Sequence, residues 1–215
     1  HAADALGKQM HGFVEIIHRN ANDLISMVDQ LLELSEMEAR GRLVVEPEPG
    51  DIGPLLEEVA WRWQDPMGEK NLQFHAEVPD DLPQANVDLP RLRWALVALL
   101  RNAWQYTPEG GSVALRAGAV DGHLRVDVSD TGVGMGPEEL NDLFTRFYRH
   151  TNLDEGEARG LGLGLYLTRA IVEAHDGDVL VTSEKGKGTT FSIVLPVFSS
   201  GSVVPTKDSD ESSYV

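Results

Sequence analysis

SDTGVGMGPEELNDLFTRFYRHTNLDEGEARGLGLGL, residues 129–165, contains most of the residues from which a fold and a site can be predicted for this chain. The alternating run LRVDV just before it predicts a strand that delivers Asp130 to a loop. In that loop, Gly132 and Gly134 let a ligand approach the backbone closely. A second cluster, GLGLG at 160–164, opens an apolar helical run, and free N–H groups at a helix N-terminus favour an anion such as phosphate. The stretch therefore combines a carboxylate, two glycine turns and an anion site.

An asparagine-bearing helix upstream makes this combination informative. Either glycine cluster alone would be weak evidence, because short glycine motifs recur in ordinary turns. In LRWALVALLRNAWQYTPEGG, residues 92–111, the leucines recur at helical spacing, and Asn102 lies near the C-terminal end of the predicted helix. With its motifs in this order, the chain resembles the nucleotide-binding domain shared by sensor histidine kinases, DNA gyrase, heat-shock ATPase chaperones and mismatch-repair ATPases.

Five motifs carry this resemblance, which covers residues 50–196. In order, they are the asparagine box (Asn102), the DxGxG box (Asp130, Gly132 and Gly134), the phenylalanine box (Phe144 and Phe147), the GxGxG box (Gly160, Gly162 and Gly164) and the GKGTTF turn (186–191). The resemblance implies that ATP is the ligand. Periodicity predicts helices at 52–63 and 88–104 and strands at 73–78, 112–118, 123–129, 178–183 and 189–195. Together these predict an α/β fold, a two-layer sandwich with helices on one face of a mixed, mostly antiparallel sheet.

A buried carboxylate that accepts a hydrogen bond from an exocyclic amine selects adenine, because guanine presents a carbonyl at that edge. The resemblance assigns this contact to Asp130, with Thr189 in support and Tyr106 lining the base pocket. It also assigns the five glycines of the two glycine boxes to the nucleotide site. The alternative for Asp130 is an ordinary turn-forming residue.

The resemblance further implies that Asn102 binds Mg²⁺ and that Arg146 or Arg149 reaches the terminal phosphate. Magnesium prefers hard oxygen ligands and keeps much of its water, so one side-chain carbonyl is a sufficient protein contribution. Arginine suits the charge that develops on a transferred phosphoryl group. The alternative for Asn102 is a polar residue at a helix end. The alternative for Arg146 and Arg149 is that each is a solvated charge. The polar run 150–159 resembles the ATP lid, a flap over the nucleotide.

Composition indicates a soluble domain with an appendage. The 215 residues carry a formal net charge of −17, which disfavours nucleic acid as a partner because phosphate backbones are bound by clustered Lys and Arg. The sequence contains no cysteine, which excludes disulfides and fits a reducing compartment such as the cytoplasm. No apolar run approaches the roughly 20 residues of a membrane span. Any membrane anchor of the parent protein is therefore expected in segments missing from this chain.

The segment before the ATP-binding motifs predicts a long amphipathic helix. Residues 1–9 lack periodicity and are expected to form a loop or frayed end, whereas apolar residues from Ile17 to Leu34 follow 3–4 spacing. A single helix cannot bury such a stripe by itself. The phrase LISMVDQLLELSEMEARG resembles the second helix of the histidine-kinase dimerisation hairpin, which implies a homodimer. The alternative is a helix folded back on its own domain.

These observations predict four parts of the chain. They are a partial dimerisation region at 1–45, a linker at 46–51, an ATP-binding domain at 52–197 and a disordered tail at 198–215. Proline and glycine residues break the helical pattern and therefore indicate the linker. A polar, poorly periodic sequence indicates the disordered tail.

Three features depart from the family pattern. The phosphoacceptor box is absent: His18 is followed by Arg-Asn on the helix that resembles the second one, so we expect an exposed histidine here and the first helix upstream of His1. Ala98 stands where relatives carry asparagine or, in hydrolytic relatives, glutamate, and alanine cannot polarise water. Gln105 stands where the family often has a lysine, just before the tyrosine of the asparagine box. A cation near the phosphates is therefore missing.

We therefore interpret the chain as the ATP-binding part of a two-component sensor histidine kinase, with a response regulator as its partner. The rival hypothesis is a degenerate scaffold that dimerises and binds a partner, with or without ATP. Ala98 and Gln105 favour the scaffold, whereas the intact DxGxG and GxGxG boxes oppose it. A serine kinase of the anti-sigma type shares the boxes but needs no dimerisation helix.

Overall fold

The structure, a computed structural model, describes residues 2–148 and 161–198. Its first element is helix α1 (Ala2–Arg40), so the expectation of a loop is wrong for residues 2–9. Alanine, leucine, lysine, glutamine and methionine are strong helix formers, and they form a helix here although the apolar residues lack periodicity. The predicted lid and residues 199–215 of the predicted tail lie outside the described residues.

Eleven further elements follow α1, and they form an α/β layer structure with a short added strand pair. They are β1 (Glu48–Gly50), α2 (Gly53–Glu69), β2 (Gln73–Glu77), β3 (Ala85–Val87), α3 (Leu89–Tyr106), β4 (Ser112–Val120), β5 (His123–Asp130), α4 (Pro137–Asp142), α5 (Gly164–Ala174), β6 (Asp178–Glu184) and β7 (Gly188–Pro196).

A five-stranded sheet forms one layer, in the order β2-β4-β5-β7-β6. β2 runs parallel to β4, and every other neighbouring pair is antiparallel. Leu124, Val126 and Val128 alternate along β5 as buried residues and share one core with α2, α3 and α5. The predicted two-layer sandwich with a mixed, mostly antiparallel sheet is confirmed.

Helix α3 carries one side of the site and is well defined at both ends. The Asp88 side chain caps it by accepting a hydrogen bond from the Arg91 N–H at 3.1 Å. At the other end, the Thr107 hydroxyl donates to the Ala103 carbonyl at 2.6 Å. Leu96 and Leu99 are fully buried, and Asn102, on the stripe beside them, lies at the edge of this buried face.

Helices α3 and α5 are joined at the end remote from Asn102 by a buried histidine. The Asp88 N–H donates to His175 Nε2 at 2.8 Å, and His175 Nδ1 lies 2.7 Å from the Ile171 carbonyl. Because Nε2 accepts, Nδ1 carries the proton and donates to Ile171. The predicted linker lies beside this contact, since β1 pairs antiparallel with β3 and the Glu46 N–H donates to Asp88 Oδ2.

The C-terminal part of α1 lies against the ATP-binding motifs, whereas its earlier part is exposed. Leu34 is 7% exposed and packs with Leu163 and Leu167, while Phe13 and Ile17 are more than 60% exposed. None of the described helices is long and apolar enough to cross a membrane.

Candidate functional site

A cavity between α3, the N-terminal end of α5 and the ends of β5 and β7 contains most of the predicted site residues. Seven of them line it: Asn102, Tyr106, Asp130, Gly134, Gly162, Gly164 and Thr189. These residues are spread over 88 positions of the sequence, and the fold brings them to one concave surface. The resemblance predicted this grouping, and the structure shows it without a bound ligand.

Asp130 is held at one end of this cavity by backbone donors. Its Oδ1 accepts hydrogen bonds from the Gly132 N–H at 2.8 Å and the Thr189 N–H at 3.2 Å. Burial raises the pKa of the Asp130 carboxyl to about 6, although the two backbone hydrogen bonds act in the opposite direction. Both bonds go to Oδ1, which leaves Oδ2 to accept from a ligand amine.

The glycines around Asp130 are required because the backbones approach one another too closely for a side chain. A Cβ at Gly134 would lie 2.0 Å from the Glu184 carbonyl oxygen, and a Cβ at Gly188 would lie 1.9 Å from the Asp130 carbonyl oxygen. Both glycines also have positive φ, at 61° and 107°. The DxGxG loop and the β6–β7 turn are therefore interlocked through Gly188, a residue of the GKGTTF turn that was not among the predicted site residues.

Ser183 fixes the position of Thr189. The Met135 N–H donates to Ser183 Oγ at 2.8 Å, and Ser183 Oγ lies 2.8 Å from Thr189 Oγ1 and 3.0 Å from the Gly188 carbonyl. Thr189 is only 7% exposed, so its hydroxyl is oriented by this network. No motif of the sequence signalled Ser183, because its role depends on the pairing of β6 with β7.

Asn102 projects from the last turns of α3 into the same cavity. Its side-chain amide has no hydrogen-bond partner within residues 2–148 and 161–198, so its carbonyl can serve a ligand. Those same residues contain no group of three or more His, Cys, Asp or Glu side chains that could bind a metal by themselves. A single amide oxygen fits an ion such as Mg²⁺, which bridges to phosphates and retains water.

The GxGxG loop contacts the phenylalanine box. A Cβ at Gly162, where φ is 71°, would lie 2.5 Å from the Tyr148 carbonyl oxygen and 2.7 Å from the Phe147 carbonyl carbon. Gly164, which begins α5, is different, because its Cβ would lie 3.9 Å from the Ala98 Cβ. The third glycine of the box, Gly160, lies outside the described residues.

Arg146, the one predicted arginine within the described residues, does not line the cavity. Arg146 is exposed; its guanidinium bonds Glu38 of α1 at 2.5 Å and the Tyr166 hydroxyl of α5 at 2.9 Å. The guanidinium also lies 4.9 Å from the centroid of the Tyr166 ring. Arg149 lies outside the described residues. The structure therefore shows a competing partner for Arg146, which sequence motifs could not reveal because Glu38 is 108 positions away.

Several further residues of the cavity wall were not predicted, and two of them are polar residues on helices. Arg101 and Gln30 both line it, and Gln30 comes from α1, far from every motif. Arg101 precedes Asn102 directly and could have been found from its helical position. Gln30 gave no sequence signal, since a glutamine in an amphipathic helix is ordinarily a solvated residue.

Comparisons with known proteins show the family to which the chain belongs. The sequence profile of the family described as histidine kinase-, DNA gyrase B-, and HSP90-like ATPase matches residues 87–199. The histidine protein kinase DivJ of Caulobacter vibrioides is 32% identical over 194 residues, which are 90% of this chain and 32% of DivJ. The chain thus spans about a third of the length of this relative.

Two solved structures share the fold. Full-length ShkA in complex with AMPPNP aligns with a TM-score of 0.72 and 31% identity, over 87% of this chain and 38% of that chain. The histidine kinase ThkA in complex with the response regulator TrrA aligns with a TM-score of 0.67 over 86% of this chain and 51% of that chain; its 23% identity shows the fold alone. The resemblance predicted from the motifs is confirmed, and the chain belongs to the family of histidine kinase-, DNA gyrase B- and HSP90-like ATPases.

Proposed function

We propose that this chain is the ATP-binding catalytic part of a two-component sensor histidine kinase. In this function it presents the terminal phosphoryl group of ATP to a histidine, and a response regulator then receives that group. The main supporting observation is the grouping of Asp130, Asn102 and the GxGxG loop around one cavity. Base, metal and phosphate can each be bound by a different wall of that cavity.

Adenine recognition rests on Asp130. Its Oδ1 is occupied by two backbone donors, so the remaining oxygen accepts the exocyclic amine of adenine. Thr189 lies beside Asp130 and supports the same contact with adenine. Tyr106 lines the base pocket. Guanine presents a carbonyl there, and a carboxylate that faces a carbonyl is left unpaired, which discriminates strongly between the two bases.

Magnesium and phosphate are assigned to the other end of the cavity. The Asn102 carbonyl would bind Mg²⁺, which supplies charge neutralisation at the phosphates when bound. The N–H groups at the start of α5, next to Gly162 and Gly164, would bind phosphate oxygens. Arg146 and Arg149 are proposed to reach the terminal phosphate; for Arg146 this requires release from Glu38.

Helix α1 supports the kinase hypothesis over a stand-alone ATPase. Its exposed apolar residues include Phe13, Ile17, Leu24 and Leu31, and a stripe of this size needs other helices to cover it. We propose that it pairs in a homodimeric helical bundle that presents the phosphoacceptor histidine. We place this part in the cytoplasm, with any membrane anchor of the parent elsewhere.

Calorimetry with ATP and GTP tests the binding proposal. The wild-type chain should bind ATP with magnesium and prefer it to GTP, and Asp130→Ala should abolish that preference. Equal affinities for the two nucleotides in wild type and variant would refute the assignment of Asp130.

Labelling with radioactive ATP separates the kinase from the degenerate scaffold, which Ala98 and Gln105 favour. The chain by itself should not be labelled, because phosphoryl transfer depends on an acceptor held in line with the terminal phosphate. A fusion that places a first hairpin helix, with a histidine followed by an acidic residue, before His1 should become labelled. The scaffold hypothesis predicts no labelling of either protein, and labelling of His18 would show that the acceptor is misassigned.

A further inference from the structure

Gln30 is buried in a part of α1 where its neighbours are exposed. It is 8% exposed, whereas the adjacent Leu31 and Leu32 are 47% and 59% exposed. A polar side chain buried beside exposed leucines reverses the ordinary preference of these residue types. Gln30 lines the cavity of the candidate site.

The docking of α1 on α3 explains this position. Glu33 forms an ion pair with Arg91, and Trp94, one turn further along α3, packs against the cluster that Leu34 forms with Leu163 and Leu167. Gln30 precedes Leu34 by one turn of α1, and it lines the cavity with Ala98 and Arg101. The two helices thus run antiparallel, and each turn towards the N-terminus of α1 leads one turn closer to Asn102.

Small residues line the cavity that Gln30 also lines. Ala98 presents only a methyl group, and a Cβ at Gly164 would still be 3.9 Å from the Ala98 Cβ. The wall between Asn102 and the start of α5 therefore lacks a polar side chain of its own at position 98. Among the described residues that line the cavity, Gln30 is the one that comes from α1, and it carries an amide.

We propose that Gln30 binds the phosphate end of the nucleotide, and that the site of this protein is completed by helix α1. This inference rests on the proposed function. The amide N–H₂ donates to a phosphate oxygen, and the amide carbonyl can accept from water bound to Mg²⁺. Glutamine cannot act as a general base, so we assign this contact to positioning the phosphates. Nucleotide affinity then depends on whether α1 is docked.

The test measures the affinity of the full chain for AMPPNP and for ADP, each with magnesium. Gln30→Ala should weaken AMPPNP binding about tenfold, as expected for a lost hydrogen bond to a charged group, and ADP binding much less. Adding Ala98→Asn to Gln30→Ala should restore most of the AMPPNP affinity, because an amide at position 98 enters the same space. Glu36→Ala, an exposed change on the same helix, is the matched control and should bind like wild type.

A second control distinguishes contact from docking. Leu34→Ala weakens the packing of α1 on Leu163 without removing the amide. Equal losses of AMPPNP and ADP affinity in Leu34→Ala and Gln30→Ala, with no rescue by Ala98→Asn, would overturn the proposal in favour of a docking role. Unchanged AMPPNP affinity in Gln30→Ala would also overturn it. If the wild-type chain binds neither nucleotide, the proposed function itself fails together with this inference.

Discussion

The two ends of the cavity differ in how completely the folded chain forms them. At the base end, Asp130 accepts from two backbone N–H groups, and the neighbouring glycines leave no space for a Cβ. At the phosphate end, the Asn102 amide faces the cavity, Gly164 has room for a side chain, and Arg146 is bonded to Glu38. Base recognition is therefore built into the fold, whereas the phosphate end combines one tightly enclosed glycine, Gly162, with a position that has room for a side chain and an arginine that is bonded elsewhere.

Paired glycine substitutions test this difference most strongly. Gly134→Ala should lower the free energy of unfolding by about 3 kcal/mol or more, because alanine at positive φ is strained and its methyl would overlap the Glu184 carbonyl. Gly164→Ala should leave stability unchanged or raise it by up to about 1 kcal/mol, since its φ is ordinary and alanine favours helix. Denaturant unfolding of both variants gives the comparison. Similar losses in the two would show that the ends are equally constrained.

The second test uses pH at the base end. Because the folded pKa of Asp130, about 6, lies above the ordinary carboxyl value, the folded chain binds a proton that the unfolded chain releases. This contribution to stability is present below about pH 4 and is lost as pH rises to about 6, by about 2–3 kcal/mol. Asp130→Asn removes the titration, so the stability of the variant relative to wild type should rise across this window and be constant above it.

Nucleotide binding should depend on the same ionisation of Asp130, but its pH dependence should be opposite to that of stability. The adenine amine needs the carboxylate form of Asp130, so wild-type affinity for ADP should fall as pH decreases below about 6. Calorimetry at several pH values measures this change. Asp130→Asn should bind with an affinity that does not vary over that range; a parallel decrease in both proteins would assign the effect to another group.

Asn102→Ala tests the phosphate end. Because the amide makes no hydrogen bond within the described residues, the melting temperature without ligand should stay close to that of wild type. The additional stabilisation that magnesium gives in the presence of ATP should shrink. Thermal melts with ATP, with and without magnesium, measure both quantities. Normal magnesium-dependent stabilisation would place the metal ligand elsewhere.

Glu38→Gln should have the smallest effect on stability. The Glu38 and Arg146 side chains are 55% and 40% exposed, and exposed pairs contribute about 0.2–1 kcal/mol. If Arg146 serves the terminal phosphate, its release should increase affinity for AMPPNP by a few-fold and leave ADP unchanged. Glu36→Gln, on the same helix, is the control. Weaker AMPPNP binding in Glu38→Gln would show that the docked arrangement is the competent one.

Sequence patterns predicted the parts of this molecule that depend on local chemistry. The glycines of the DxGxG box and the apolar periodicity of α3 are local requirements of turn and helix, and the structure confirms the architecture they imply. Of the eleven residues that the resemblance assigned to the nucleotide site, seven line one cavity. In contrast, Ser183 and Gln30 take part through strand pairing or helix docking, and Arg146 has a partner on another element. Such contacts depend on the positions of elements distant in sequence, which periodicity and motifs do not encode.

The pairing of β1 with β3 has a consequence for recombining modules of such proteins. Residues 48–50 precede the ATP-binding helices, yet they cover Val87 and Ala85, both buried, and the nearby Glu46 N–H bonds the carboxylate that caps α3. A chimaera that exchanges α1 for another helix should therefore retain residues 46–50 with the C-terminal module. A junction placed after residue 50 would leave an unpaired strand edge and remove a hydrogen bond from the capping carboxylate of the helix that carries Asn102. The segment that can be exchanged, helix α1, therefore ends before β1, within the turn that follows Arg40.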